Sequence, residues 1–311
     1  MSRHAGSQAD TGDDRGGAIG ACTWLFGDHD HPRIAQRAAR LGLDGVEILP
    51  DIARWAPRLV GGPYADAGLQ VLSLTPDNVD IAHPDGTARR RALDYYRRLI
   101  EFAARLDCAH VTCHERTGRA RPADAVGAEW DRLVGSCRQL AEVAADHAVT
   151  LVFEPLRRGL VSQVHNADDV CRLVDEVGHP ALSAVLDTYH LCLEETDPPA
   201  AIRQCGRRVT IVQLGDTDRR PLGTGTAPLD RCLEALAGSG FAGPWILECT
   251  SQLLAPSLVP RAVDPEQVDR ELGASVRWLR ARLTGLRHRH PTTATELTNA
   301  QRRDAHEHDQ S

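Results

Sequence analysis

"VTLVFE" at residues 149–154 and "LSAVLD" at 182–187 decide how this chain is read. Each is a short, mostly apolar run, of strand length and too short for a helix. Neither alternates cleanly between apolar and polar residues. Both faces of each strand are therefore expected to be covered, as in a parallel sheet sheathed by helices. Each run also ends on a carboxylate, Glu154 and Asp187. A buried strand that finishes on an acid needs a reason, and two in succession need a common one.

Six more runs of the same kind surround them: "AIGACTWLF" (18–26), "GVEILP" (45–50), "QVLSLT" (70–75), "AHVTCH" (109–114), "VTIVQL" (209–214) and "PWILEC" (244–249). The segments between carry helical period. Leu93, Tyr96, Ile100 and Ala103 fall on one face behind an expected cap at Thr87, and Trp130, Leu133, Cys137, Leu140 and Ala144 share another face. After the eighth run, Asp264-Pro265 reads as a cap with proline at the first helical position, followed by a stripe of Val268, Leu272, Leu279 and Leu283. Eight strand–helix repeats in about 270 residues predict an α/β fold, the (β/α)₈ TIM barrel. An open doubly wound sheet would want a glycine-rich loop after its first strand, and "CTWLFGDHDHP" (22–32) is not one. The expected organisation is a single barrel over 18–286. A polar tail at 1–17 and a His-rich tail at 287–311 lack hydrophobic periodicity and are expected to be disordered.

Composition narrows the chemistry. No apolar run is long enough to span a bilayer, and the polar N-terminus is no secretory signal, so a cytoplasmic protein without membrane contact is expected. The net charge of −7 argues against nucleic acid as a partner. Nine cysteines stand singly with no CxxC, which reads as reduced thiols used as small core residues. The chain has no lysine at all. That excludes lysine Schiff-base chemistry and the P-loop.

In a (β/α)₈ barrel the active site lies at the C-terminal ends of the strands. The fifth to eighth strands end in Glu154, Asp187, Gln213 and Glu248. Neighbouring strands are about 4.8 Å apart, so these groups can converge on one ion. Three clustered carboxylates repel, and a divalent cation removes the repulsion. An all-oxygen shell of three carboxylates and an amide suits Mg²⁺ or Mn²⁺ better than Zn²⁺. The competing reading, that each acid caps a helix or pairs with an arginine, is outweighed by four matched strand ends. His190 is open between metal ligand, support for a ligand, substrate contact and ordinary satisfied histidine. Arg219, in "GDTDRRPLGTG" (215–225), is open between holding a substrate oxygen or carboxylate and lying in solvent. Gly223 and Gly225 either fold that loop over the rim or serve as turn glycines. Trp24, Glu47 and His114, at or near strand ends, are expected to pack rather than to line the pocket, and Cys249 is expected in the core.

Five stretches carry a resemblance: "LGLDGVEIL" (41–49), "FEPL" (153–156), "LDTYHL" (186–191), "VQLGDTDRRPLGTG" (212–225) and "ILEC" (246–249). Together they resemble the xylose-isomerase-like TIM barrels, the sugar phosphate isomerase/epimerase superfamily, over roughly residues 18–285. The resemblance implies one divalent metal held by Glu154, Asp187, Gln213 and Glu248. It further implies Glu154 and Glu248 as the acid/base pair of the ketose 3-epimerase branch, with His190 and Arg219 on substrate oxygens. Two departures stand out. Those epimerases usually have histidine at the Gln213 position, where the hydroxypyruvate isomerase branch has glutamine. They also follow the fifth-strand glutamate with an Asn-Arg-aromatic-Glu stretch that grips the sugar end, where this chain reads "EPLRRGLVSQ" (154–163). The expected substrate widens accordingly, to smaller or differently decorated hydroxy-ketones.

The expected function is a metal-dependent isomerase or epimerase of a small keto-sugar or hydroxy-ketone, working through an enediolate between two glutamates. A dehydratase or lyase on a related keto-polyol is the alternative. An apurinic endonuclease-like phosphodiesterase fits less well, since "APLDRCLEA" (227–235) lacks the extra histidine that chemistry uses. The expected partner is a small-molecule substrate, with a homodimer as a possible assembly.

Overall fold

The computed structural model describes residues 17–252, 256–257, 259 and 261–289. Its eight strands are β1 (Ile19–Cys22), β2 (Gly45–Ile48), β3 (Gln70–Leu74), β4 (His110–Cys113), β5 (Thr150–Phe153), β6 (Leu182–Asp187), β7 (Val209–Leu214) and β8 (Trp245–Leu247). Each falls within one of the eight apolar runs. All pair in parallel with their sequence neighbours, and β1 pairs with β8, so the sheet closes into the expected barrel.

The helices are α1 (His31–Arg40), α2 (Pro57–Asp66), α3 (Gly86–Ala104), α4 (Val126–Asp146), α5 (Ala167–Val177), α6 (Thr188–Glu194), α7 (Pro198–Cys205), α8 (Leu229–Gly238) and α9 (Pro265–Arg289). The apolar stripes of α3, α4 and α9 read from the sequence are buried. The cap of α3 is not Thr87 but Asp85, whose carboxylate accepts the Thr87 and Ala88 N–H groups (3.0 and 2.7 Å). Aspartate outcompetes threonine here because it sits two residues earlier, where both free N–H groups of the first turn are within reach. Helix α9 runs to Arg289, past the expected boundary at 286. Of the expected tails at 1–17 and 287–311, residues 1–16 and 290–311 lie outside the described residues, and 287–289 belong to α9. Among the described residues no helix is long and apolar enough to cross a membrane.

The barrel interior is filled below the site. Gly20 of β1 and Gly45 of β2 pair in register, and both give way to Leu72 of β3. A Cβ on Gly20 would come within 2.6 Å of Leu72 Cδ1, and one on Gly45 within 2.7 Å of its Cγ. Two missing side chains thus admit one leucine, and the floor under the functional rim is packed hydrocarbon. Outside, Arg37 of α1 ties the last helix to the first. It pairs with Asp269 of α9 at 2.8 Å and donates to Phe26 O and Pro265 O.

Candidate active site

The C-terminal rim carries a cavity of about 690 Å³, lined among others by Trp24, Glu154, Arg157, Gln213, Arg219 and Glu248. That size suits a small molecule. Glu154, Asp187, Gln213 and Glu248 are all buried, at the ends of four consecutive strands. Asp187 and Gln213 are paired across the β6–β7 ladder, so their side chains share a face.

Asp187 divides its carboxylate between two tasks. Oδ1 caps α6 by accepting the Tyr189 N–H at 2.8 Å. Oδ2 is buried and accepts no hydrogen bond; Arg219 Nη2 is 2.8 Å away but out of line for one. Both simple readings of an acid at a strand end, helix cap and arginine partner, therefore hold for Asp187, one on each oxygen. Gln213 Oε1 is likewise buried with no donor. Buried oxygens normally have a partner, and two carboxyl or amide oxygens side by side match a hard cation. Glu154, Asp187 and His190 offer ligand atoms within 4.8 Å of one another. Glu248 does not belong to that close trio. Arg219 bridges instead, with Nη1 3.0 Å from Glu248 Oε2 and Nη2 at Asp187.

The electrostatics follow from burial. Desolvation, together with the Asp187 and Glu248 charges, raises the Glu154 carboxyl well above its usual range, against the pull of Arg219. Desolvation likewise pushes Glu248 up to about 8, opposed by Arg219 and reinforced by Asp187 and Glu47. Burial depresses His190 to about 4, with Asp187 opposing and Arg219 and Arg157 adding to the fall, so the imidazole is neutral. Its Nδ1 meets the Arg157 N–H at 3.3 Å and its Nε2 lies 3.2 Å from Arg219. Burial works against the Arg219 charge, yet Asp187, Glu248 and Glu154 hold its pKa above the ordinary value. The guanidinium also stacks on Tyr189, 4.7 Å from the ring centre. His190 and Arg219 are thus brought to the carboxylates, and neither lies free in solvent.

Gly223 and Gly225 serve to anchor the loop after β7. The loop folds around the buried Asp216, which accepts N–H groups from Thr217, Gly223, Gly225 and Ala227. A Cβ on Gly225 would sit 2.3 Å from Asp216 Oδ1, and one on Gly223, where φ is +79°, would strike Trp278. Within this loop Asp218 and Arg219 both hold positive φ (56° and 57°). Non-glycine residues rarely adopt that conformation, and the surrounding hydrogen bonds enforce it.

Glu47 was expected to pack, and here the structure shows more. It is fully buried at the end of β2 and accepts from Gln213 Nε2 (2.8 Å), Thr75 Oγ1 (2.9 Å) and Ser73 Oγ. Burial raises its carboxyl, with these three donors opposing. The signal was present in the sequence: "GVEIL" is another apolar strand, with an acid near its end, and Ser73 and Thr75 alternate on one face of the next strand. Trp24 is 5% exposed, yet its Nε1 donor has no partner and the residue lines the cavity. Cys249 is buried and bonded to Ser275, in the packing role expected, whereas His114, bonded to Glu115 O, lines the cavity.

A closed eight-stranded parallel barrel with acids at consecutive strand ends defines a class, and sequence comparison narrows it. A sequence profile described as xylose isomerase-like TIM barrel matches residues 35–282, and the chain belongs to that family. The chain is 27% identical over 232 residues to a ketose 3-epimerase of Arthrobacter globiformis, covering 72% of this chain and 79% of that protein. It is 28% identical over 236 residues to a 3-dehydroshikimate dehydratase of Pseudomonas putida, covering 70% of this chain and 35% of that protein. Among solved structures, D-psicose 3-epimerase with D-tagatose from Clostridium cellulolyticum superposes with a TM-score of 0.77 at 22% identity, over 86% of this chain and 99% of that one.

Proposed function

We propose that this protein is a divalent-metal-dependent isomerase or epimerase of a small keto-sugar or hydroxy-ketone. The observation that carries this reading is a pair of buried oxygens that accept no hydrogen bond, Gln213 Oε1 and the Arg219-paired Asp187 Oδ2, on the two strands between Glu154 and Glu248. The likeness to sugar epimerases supports it. Oxygens of Glu154, Asp187, Gln213 and Glu248 would hold one Mg²⁺ or Mn²⁺. When bound, such an ion polarises a carbonyl and acidifies the neighbouring C–H and O–H groups.

The remaining work belongs to the side chains. Inverting a carbon centre requires a proton to leave on one face and arrive on the other. Glu154 and Glu248, separated by two strands, approach a substrate in the cavity from different sides. Burial raises both carboxyl groups in the metal-free chain, and a bound cation would hold them ionised, the state a base requires. His190, kept neutral, and Arg219, held by Tyr189 and its carboxylates, are placed to bind substrate oxygens. Water is limited by the packed floor and the anchored loop after β7.

Turnover of small ketoses with Mn²⁺ in D₂O tests the reading. Deuterium should enter at the carbon α to the carbonyl. Glu154→Gln and Glu248→Gln should each lower kcat about 10²–10⁴-fold, the range of one positioned acid or base. Near-normal turnover by either variant would remove the two-glutamate proposal. The dehydratase relative supports a second reading, in which the same deprotonation expels a β-hydroxyl. NMR of the product distinguishes the two.

A further inference from the structure

Two consecutive arginines follow Glu154 and Leu156, and they do opposite things. Arg158 behaves as a surface arginine does, paired with Glu194 at 2.9 Å. Arg157 is half-buried and lines the site cavity, and among the described residues its guanidinium has no ion pair and no hydrogen bond. Its side chain lies over Gly159, where a Cβ would come within 2.7 Å of Nη1. A glycine at that position therefore leaves room for the guanidinium. Its backbone N–H is spoken for by His190 Nδ1, which fixes the residue beside the reacting centre.

A guanidinium that reaches the cavity with five donors and no protein partner among the described residues is available to a ligand. The carboxylates of the cavity do not occupy it. Asp187 and Glu248 are engaged by Arg219. The rim acids Asp77 and Asp218 are exposed and make no pair with Arg157. Resting on the metal-dependent reading, the two arginines lining the cavity divide by partner: Arg219 is taken by Asp187 and Glu248, which leaves Arg157 for the ligand. Across the barrel from it, the unpartnered Trp24 Nε1 offers a neutral donor suited to a hydroxyl.

We propose that the substrate is an acid: a hydroxy-ketone bearing a terminal oxyanion, carboxylate or phosphate, which the Arg157 guanidinium receives at the β5 side of the cavity. An oxyanion offers the planar pair of acceptors that the arginine fork matches.

Binding of three matched four-carbon probes tests this: erythritol, erythronate and erythritol 4-phosphate, titrated calorimetrically at constant ionic strength. At least one anionic probe should bind about tenfold or more tightly than erythritol, the scale of a charge-assisted hydrogen bond. Preference for erythronate identifies a sugar acid, and preference for the phosphate identifies a phosphorylated substrate. Arg157→Gln should abolish the preference without weakening erythritol, Arg157→Lys should keep part of it, and Arg158→Gln should leave it intact. Equal binding of all three probes, no binding of either anion, or an equal loss for all three in Arg157→Gln would overturn the proposal. Mn²⁺ binding, followed separately by electron paramagnetic resonance, keeps the two readings apart. Absent Mn²⁺ binding with an intact, Arg157-dependent anion preference sinks the metal reading alone. Normal Mn²⁺ binding without that preference sinks this one.

Discussion

Gln213 carries a carboxamide, which can be turned either way round. Glu47 decides the orientation, because a carboxylate oxygen 2.8 Å away accepts from Nε2 and leaves Oε1 for the site. Supports of this kind commonly contribute 10–100-fold to metal affinity. Glu47→Gln, which keeps the volume but removes the charged acceptor, should weaken Mn²⁺ binding by about that factor in equilibrium dialysis. Unchanged affinity in a folded variant would show that Glu47 only packs. The residue scale is also where sequence reading was uneven. The four strand-end oxygens were legible because strand ends in a barrel point to one place. Glu47 was not recognised as their support, although its strand has the same pattern, because a polar contact across the barrel lumen joins residues 166 positions apart. The double use of Asp187, one oxygen capping α6 and one facing Arg219, was not legible at all. It depends on α6 starting at the very next residue.

At the scale of elements, of the two caps read from the sequence, Asp264 does cap α9, accepting the Glu266 and Gln267 N–H groups, and Thr87 does not cap α3. Apolar period locates a helix well, but "PDGTA" offers two capping residues, and backbone geometry chooses Asp85. Asp85→Ala should lower Tm, while Thr87→Ala should leave it nearly unchanged, as followed by circular dichroism. The N–H of Ala88, then that of Thr87, hold the Asp85 carboxyl below its usual pKa. A carboxylate depressed in the folded state stabilises above its unfolded value near 4 and loses that contribution as pH falls through the folded pKa. The Tm gap between wild type and Asp85→Ala should therefore be full at pH 6 and close in stronger acid. A gap that stays constant into strong acid would mean the cap acts without its charge. The strands were read more reliably than the helix ends. A buried parallel strand has no alternative pattern to compete with it, and all eight lie within their apolar runs.

At the largest scale, the first and last helices of the described barrel are tied together. Arg37 joins α1 to α9 across 232 residues of sequence, with Asp269, Phe26 O and Pro265 O as acceptors. Arg37→Ala strands these acceptors, two of them carbonyls beside a 6% exposed side chain, and should cost about 2–4 kcal/mol in urea unfolding. Arg37→Lys should recover little, since an ammonium lacks the fork that reaches three acceptors. A loss within experimental scatter for Arg37→Ala would show that α9 docks on its apolar stripe alone. The cysteines complete the picture at this scale. Eight of the nine are buried and the ninth, Cys192, is half-buried, spread over β1, the α3–β4 turn, β4, α4, α5, α6, α7, α8 and the end of β8. The fold therefore carries a built-in set of chemical clocks. Alkylation of each thiol is timed by the opening of the element that holds it, so peptide mass mapping after brief exposure to a maleimide would rank the parts of the barrel by how often they come undone.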